Sequence, residues 1–519
     1  MAQFSSLSVT TSLFLKSILC FGLLVQLAIA QVGLPGTGNV GPAQPFDSAL
    51  GQPPVAANLG GITGRDFDQL VQLMQNTISS DSWEANGGGN GTAVPYPSGV
   101  YVDAKGVLHR VPKSIRATIS QNFLGLAPRT KTAVDNPSPM RKVSLTRLQV
   151  ALEKRIAAGQ PISEEMRYLA GLAQIRYVIR DPESGEVIIA GPAAGWQRNQ
   201  DGKVLSALDQ QPVFFLDDFI VCLRNAFSQQ GKFGCAIVPR KENLAATQKY
   251  ISTARGSGKR YQQGLQKALG KQDVDVFGID PASHAARVLV EADHHMKLVG
   301  MGIEPSIVSV PSYLQRVKLD ADGNPPPMDV VRWWFTLAYD RLISNEQQTL
   351  FEFSGPGAKV LAETELLNEQ GKRIHTGKAI GPTLSFAKDF TKHFASLAKA
   401  YPVYDELRNV FDLAILANLI HEFELGDRKG LAGFLSKKFP LVSYAAAREV
   451  DSVMNAHQIR HRGDGETTIH TLIGVSGGVS FDANTFVNAE SLKVEKDIEF
   501  TSHLPAAINS RPAEHWWWD

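Results

Sequence analysis

The sequence predicts an α+β protein: helices and strands alternate around a mixed sheet, and a second region follows with a helical hairpin and short strands. Three observations carry this. Over residues 143–302, apolar residues recur with period two and with period 3.6 by turns. Residues 386–419 hold two runs of helical spacing separated by Tyr401-Pro402. Residues 467–487 return to strand-like alternation.

Taken in order, residues 31–64 are rich in Gly and Pro, lack periodicity and read as a flexible linker. Phe67, Leu70, Val71, Leu73, Met74 and Ile78 mark an amphipathic helix over 66–83, followed by a Gly/Asn loop at 86–91. Residues 100–111 read as a hairpin around Asp103-Ala104-Lys105-Gly106. Leu145, Leu148, Leu152 and Ile156 predict a helix, and 164–172 a shorter one. Residues 175–179 and 186–190 read as paired strands. Phe219, Cys222, Leu223, Ala226 and Phe227 share a helical face, and Phe233, Cys235 and Ile237 alternate as in a strand. Residues 243–254 are helical, 274–279 extended and 283–299 helical. Beyond Pro325-Pro326-Pro327, 330–339 and 349–353 are strand-like. One long helix then carries Phe386, Phe390, Phe394 and Leu397, and a second carries Leu407, Val410, Phe411, Ala414, Ile415 and Leu419. Gly474 and Gly477-Gly478 are placed at bends. The resulting division is 1–30, 31–64, 65–140 (helix and hairpin), 141–324 (core) and 325–519 (second region).

Residues 1–30 hold one charge, Lys16, ahead of an apolar run ending Ala28-Ile29-Ala30. That is the pattern of a secretory signal cleaved between Ala30 and Gln31, and it predicts a periplasmic or extracellular protein. No later apolar run reaches the length of a membrane span. Without Lys16 the chain has 51 basic and 51 acidic residues, so no bulk basic excess points to nucleic acid. Cys222 and Cys235 then remain, too few for a disulfide scaffold. They sit on a helix and on the strand after it. A bridge closing so short a loop stabilises by about 3 kcal/mol if the Cα atoms come within roughly 7 Å. Two buried thiols are the alternative.

The best polar constellation is one predicted helix bearing His284, Arg287, Glu291, Asp293, His294 and His295. His284, Arg287, Glu291 and His294 or His295 lie three or four residues apart and fall along one stripe. Imidazole and carboxylate together suit metal or ligand binding, but any amphipathic helix is polar on one side, and a solvated face is the reading adopted. Arg287–Glu291 and Asp293–Lys297 read as surface pairs worth about 0.2–0.5 kcal/mol each. His421-Glu422 has no second His four residues on, so the zinc-protease motif is absent. Gly256-Ser257-Gly258-Lys259 lacks the spacing of a phosphate loop. Asp320-Ala321-Asp322-Gly323-Asn324 lacks the Glu that ends a calcium loop. Arg462-Gly463-Asp464 is a tripeptide match and nothing more. No metal or cofactor is therefore expected. Trp196 sits in a loop after Gly191-Pro192, where an indole can stack on a sugar or anchor a partner. Trp333-Trp334 place one indole on each face of a strand, one of them in the core. Trp516-Trp517-Trp518 either dock on the fold or bind a partner.

Several segments carry a family resemblance. Asp66-Phe67-Asp68-Gln69-Leu70, Thr77-Ile78-Ser79-Ser80-Asp81-Ser82-Trp83 and Gly87-Gly88 resemble a stretch found in secreted proteins of planctomycete bacteria. Glu165-Met166-Arg167-Tyr168-Leu169-Ala170-Gly171-Leu172 and Ala190-Gly191-Pro192-Ala193-Ala194-Gly195-Trp196 resemble an uncharacterised family of the same group, domain of unknown function 1598. So do Ala286-Arg287-Val288-Leu289-Val290 with Asp293 and Met296-Lys297, and Pro311-Ser312-Tyr313-Leu314. The likeness covers roughly residues 66–430. It implies an exported protein and supplies no catalytic residues. The function expected is a non-catalytic binding or structural protein of the envelope or extracellular space, with an envelope protein or glycan as partner. The alternative is a hydrolase acting on envelope or environmental polymers, which a pair of carboxylates facing one cleft favours.

Overall fold

Among the described residues, eight helices of seven residues or more build the interior: α1 (Leu145–Ala157), α2 (Leu216–Gln229), α3 (Lys241–Thr253), α4 (Lys259–Leu269), α5 (His284–Gly300), α6 (Gly381–Lys392), α7 (Phe394–Ala400) and α8 (Pro402–Glu422). The computed structural model describes residues 92–96, 99–103, 107–108, 131–199, 202–254, 259–318, 330–367, 373–379, 381–425, 431–437, 439–460, 467–472, 476–487, 492–495 and 515–519. The expected signal, linker and helix of 1–30, 31–64 and 66–83 lie outside these residues. So do 86–91, 320–324, 462–464 and Gly474.

The helices start where their sequences say they should. Ser144 caps α1 by accepting from the Arg147 amide at 3.2 Å, and Ser283 caps α5 by accepting from Ala286 at 3.1 Å. Pro402 opens α8 in the first turn, where its missing N–H costs nothing. The apolar stripe of α8 is buried as its spacing predicts, but Asp405, Glu406, Asn409, Asp412 and Asn418 are buried too. The helix is enclosed on all sides, with α2 and α5 among its neighbours. The long helix predicted over 386–397 is two, because the chain leaves helical geometry at His393 between α6 and α7. Phe386, Phe390, Phe394 and Leu397 all stay in the core.

Two large mixed sheets carry the remaining architecture. The first runs Arg373–His375, Gly357–Leu367, Val330–Ala338, Ser476–Asp482, Lys232–Pro239, Lys271–Phe277, Glu449–Asp451, Val107–Leu108. The second runs Leu492–Val494, Arg341–Ser344, Leu350–Ser354, Tyr177–Arg180, Val187–Ala193, Ser138–Ser144, Trp517–Trp518. Strands from both sides of position 325 interleave in each, so the expected division between 141–324 and 325–519 passes through the sheets. Thr63–Asp519 is a single unit. One long ribbon connects the sheets. Its outer strands, Val330–Ala338 and Gly357–Leu367, pair antiparallel in the first sheet. Its inner strands, Arg341–Ser344 and Leu350–Ser354, pair in the second. The ribbon turns the corner at Tyr339-Asp340 and Gly355-Pro356.

Two local expectations are corrected. Gly99–Asp103 pairs with Thr92–Tyr96 rather than with Val107–Leu108, which joins Glu449–Asp451 in parallel. Gly477 and Gly478 are not bends; they lie within the strand Ser476–Asp482. A Cβ on Gly478, which has φ +141°, would sit 1.8 Å from the Cys235 carbonyl oxygen. A Cβ on Gly477 would meet Asp293 Oδ1 at 2.8 Å and Lys297 Cε at 2.9 Å. The glycines make room for neighbouring backbone and for side chains descending from α5.

The tryptophans resolve similarly. Trp333 is fully buried against Phe386, and Trp334 lies under the Arg332 guanidinium at 4.4 Å. Trp516 and Trp518 are buried, and Trp517–Trp518 adds an edge strand to Ser138–Ser144. Arg141, wholly buried, holds this strand in place. Its Nε donates to Asp519 Oδ1 at 2.8 Å, its Nη1 donates to the Val134 and Ala170 carbonyls, and its guanidinium lies over the Trp517 ring. The terminal triplet is docked on the fold.

Candidate functional site

The polar stripe on α5 is covered, not solvated. Only Arg287 is exposed; His284, Glu291, His294 and His295 are half-buried. Three segments do the covering: the start of α2, the start of α8, and a short hairpin of Trp196–Arg198 with Val204–Ser206. That hairpin presents both Trp196 and Lys203. Its closure is tight, with the Asn199 amide donating to the Lys203 carbonyl and the Lys203 amide donating to Asn199 Oδ1, both at 2.9 Å.

Lys203 is the hub. Its Nζ lies 3.3 Å from Glu291 Oε1 of α5 and donates to Glu406 of α8. Burial works against the ammonium, but the two carboxylates outweigh it and hold Lys203 above its ordinary value. Burial likewise opposes ionisation of Glu291, and Lys203 and Arg287 together overcome it and pull that carboxyl down. Glu406 is the deepest of the three, and there burial prevails over Lys203 and raises the carboxyl.

Beside this hub, His284 Nδ1 lies 2.8 Å from Asp218 Oδ2, in the first turn of α2. Burial disfavours the imidazolium, yet the Asp218 charge and hydrogen bond more than compensate, so His284 is held above its usual value. Its ring stacks on Phe215 at 4.4 Å and lies 5.5 Å from Tyr444. Phe215 touches Tyr168 edge-on, and Tyr168 in turn meets Trp196 at 5.4 Å. His284, Glu291 and Trp196 therefore belong to one connected cluster. His295 belongs elsewhere: Nδ1 is 2.6 Å from the Tyr404 hydroxyl and Nε2 is 3.5 Å from Glu304.

Asp293–Lys297 is the largest correction. The pair that reads as a surface i,i+4 contact is wholly buried, with Lys297 Nζ 2.7 Å from Asp293 Oδ2. The Gly478 amide donates to Asp293 Oδ1 at 2.7 Å. These side chains fix α5 to the first sheet through the space that Gly477 leaves open. Cys235 lies in the same neighbourhood, where burial pushes its thiol up with Asp293 adding to the effect. Cys222 points to α8, its Sγ 3.8 Å from the Val410 carbonyl. Both thiols are buried and free. The bridge considered from the loop length is not formed, because helix and strand turn their thiols towards different neighbours.

A groove of about 370 Å³ lies near the N-terminal end of α5, walled by Val274, Val276, Asp280, Ala282, Ala447 and Arg448 among others. It includes none of the five candidate residues. Among the described residues, no group of three or more His, Cys, Asp or Glu is placed to hold a metal ion, and no helix is long and apolar enough to cross a membrane.

Sequence reasoning missed Lys203, Asp218, Glu406 and Tyr404. Asp217-Asp218 is an acidic pair just inside a helix start, where helix-dipole stabilisation accounts for it without a partner. Lys203 and Glu406 carry no local signal, since their meeting depends on the tertiary fold. Residues 235–313 match the family described as "Protein of unknown function (DUF1598)". This stretch is thus a domain of unknown function, running from the strand that holds Cys235 through α5 to Tyr313. No protein with a curated description matches the chain, and no solved structure does.

Proposed function

We propose that the chain is an exported, non-catalytic binding or structural protein of the cell envelope or extracellular space, of the kind found in secreted planctomycete proteins. The observation that carries the reading is the use made of the polar groups on α5. Glu291 and Glu406 are spent on Lys203, His284 on Asp218, His295 on Tyr404, and Asp293 on Lys297 and Gly478. A catalytic acid or base needs a free position facing substrate; these groups face one another and tie α2, α5, α8 and the Trp196 hairpin together. The apolar run before Ala30-Gln31 supports export.

The hydrolase reading keeps one specific observation: two carboxylates, Glu291 and Glu406, converge on a single point. Lys203 occupies that point and pairs with both. One preparation separates the readings. Protein recovered outside the cytoplasm is sequenced from its N-terminus, sedimented with isolated envelopes, and assayed against chromogenic glycosides and esters. A start at Gln31, cosedimentation and no turnover are expected. Turnover abolished by Glu291→Gln establishes the hydrolase instead, and a start at Met1 on cytoplasmic protein removes the export claim.

A further inference from the structure

The strand Lys271–Phe277 is covered along only part of one edge. Lys271, Gln272 and Asp273 pair with Glu449–Asp451, and the ladder ends on a bond from the Val274 amide to the Arg448 carbonyl at 2.8 Å. The two backbones then part. They meet again where the Tyr444 amide donates to the Ala282 carbonyl at 2.7 Å. Between these closures lies the groove of about 370 Å³. Alternate residues of a strand turn their N–H and C=O to the same side, so Val276 aims these groups as Val274 does, and the groove stands where a partner strand would be. Ala446 and Ala447 on the far wall are too small to fill it. The charges of the lining separate along its length. Arg448 lies at the closure beside Val274, and Asp280 lies near the closure at Ala282. Both are exposed. Asp280 Oδ1 accepts from the Ala282 amide at 2.9 Å, which leaves Oδ2 for a ligand. Asp275, also in the lining, sits between the two valines and belongs to the other face of the strand.

We propose that this groove binds a short peptide of two or three residues with both ends free. Its carboxylate meets Arg448, its ammonium meets Asp280, and its backbone adds antiparallel to Val274–Val276, exchanging hydrogen bonds with Val276. Three features select this ligand. A strand edge recognises backbone. Segment 444–448 spans at most about 14 Å, so a single amino acid is too short to reach both charges, and the closures stop a longer chain. The opposite charges match a zwitterion and set its direction. The volume is at the low end of small-molecule sites, roughly 300–1,000 Å³, and the Val and Ala walls favour small side chains.

The test is calorimetric titration of the full chain with trialanine, beside trialanine amide, N-acetyl-trialanine and the doubly blocked peptide. Saturable binding of trialanine is expected, with a Kd at or below about 1 mM, and each blocked end weakens it by about tenfold. Arg448→Gln binds trialanine and its amide equally, and still discriminates against the acetylated peptide. Ala446→Leu fills the groove and abolishes binding. If Ala446→Leu does not fold, Arg448→Gln, a change at an exposed side chain, decides. No saturable binding by the wild type, binding that survives Ala446→Leu, or an unchanged preference for the free carboxylate in Arg448→Gln overturns the proposal. Equal binding of the doubly blocked peptide also overturns it, and points to an internal segment of a partner protein as the occupant.

Discussion

Helices α5 and α8 are both buried and both polar on a face that faces protein, yet they reach that state differently. On α5 three groups meet partners from distant segments: Glu291 meets Lys203, His284 meets Asp218, and Asp293 meets the Gly478 amide as well as Lys297 of its own helix. On α8 Glu406 likewise meets Lys203 and Asp412 meets the Tyr339 hydroxyl, but the partner of Asp405 is Arg408, one turn along the same helix. The first arrangement fixes which elements lie together. The second, Asp405 with Arg408, is closed within one helix and fixes no other element. Desolvating an ion costs several kcal/mol and is recovered only with good geometry and further hydrogen bonds. α5 has those bonds across segments at Glu291, His284 and Asp293, and α8 has them at Glu406 and Asp412, while Asp405 is paired within its own helix.

The sharpest way to break the comparison is Asp293→Ala. It strands Lys297, fully buried, without its carboxylate. A loss of about 3–5 kcal/mol is expected, read as a drop in the urea midpoint at constant slope. Replacing both residues with apolar side chains of similar volume recovers most of it, because the cost lies in the unpaired charge and not in the absence of a pair. A single variant within about 0.5 kcal/mol of wild type means that Lys297 reaches water, and α5 is then no more fixed than α8.

A smaller effect comes from His284→Asn. The folded-state value of His284 lies above its ordinary one, so its stabilisation is complete at pH values below the unfolded value and is lost as pH rises through the folded one. At pH 5 the variant is expected to be less stable by about 1.5–3 kcal/mol, the worth of a hydrogen bond to a charged group. Above the folded-state value the gap narrows. A gap that widens with rising pH reverses the assignment of the Asp218–His284 pair.

How much of this the sequence disclosed follows the range of the forces involved. Helix starts at Ser144 and Ser283, the apolar faces of α2, α5 and α8, and the alternation around Trp333 rest on neighbours a few residues apart, and were legible. The polar stripe of α5 was legible as a stripe, since His284, Arg287, Glu291 and His295 need only helical spacing. Its burial was not, because the cover comes from Lys203, Asp218, Tyr404 and Glu406, up to about 120 positions away. Gly477-Gly478 misled for the same reason. Two adjacent glycines suggest a bend locally, and their use as a recess for Asp293 and Lys297 appears only when α5 lies over the strand. The interleaving of strands from either side of Pro325 could not be read from periodicity, which carries no information about pairing partners.

We propose that the Lys203–Glu291–Glu406 hub serves the fold rather than catalysis. The measurement that tests it most directly is a double-mutant cycle on Lys203→Met and Glu406→Gln, read by denaturant unfolding at pH 7. Groups retained for structure cost stability when removed, whereas groups retained for function are often strained and their replacement stabilises. The account predicts that each single variant loses about 1–3 kcal/mol and that the double variant loses less than the sum. Single variants more stable than wild type, or losses that simply add, contradict it.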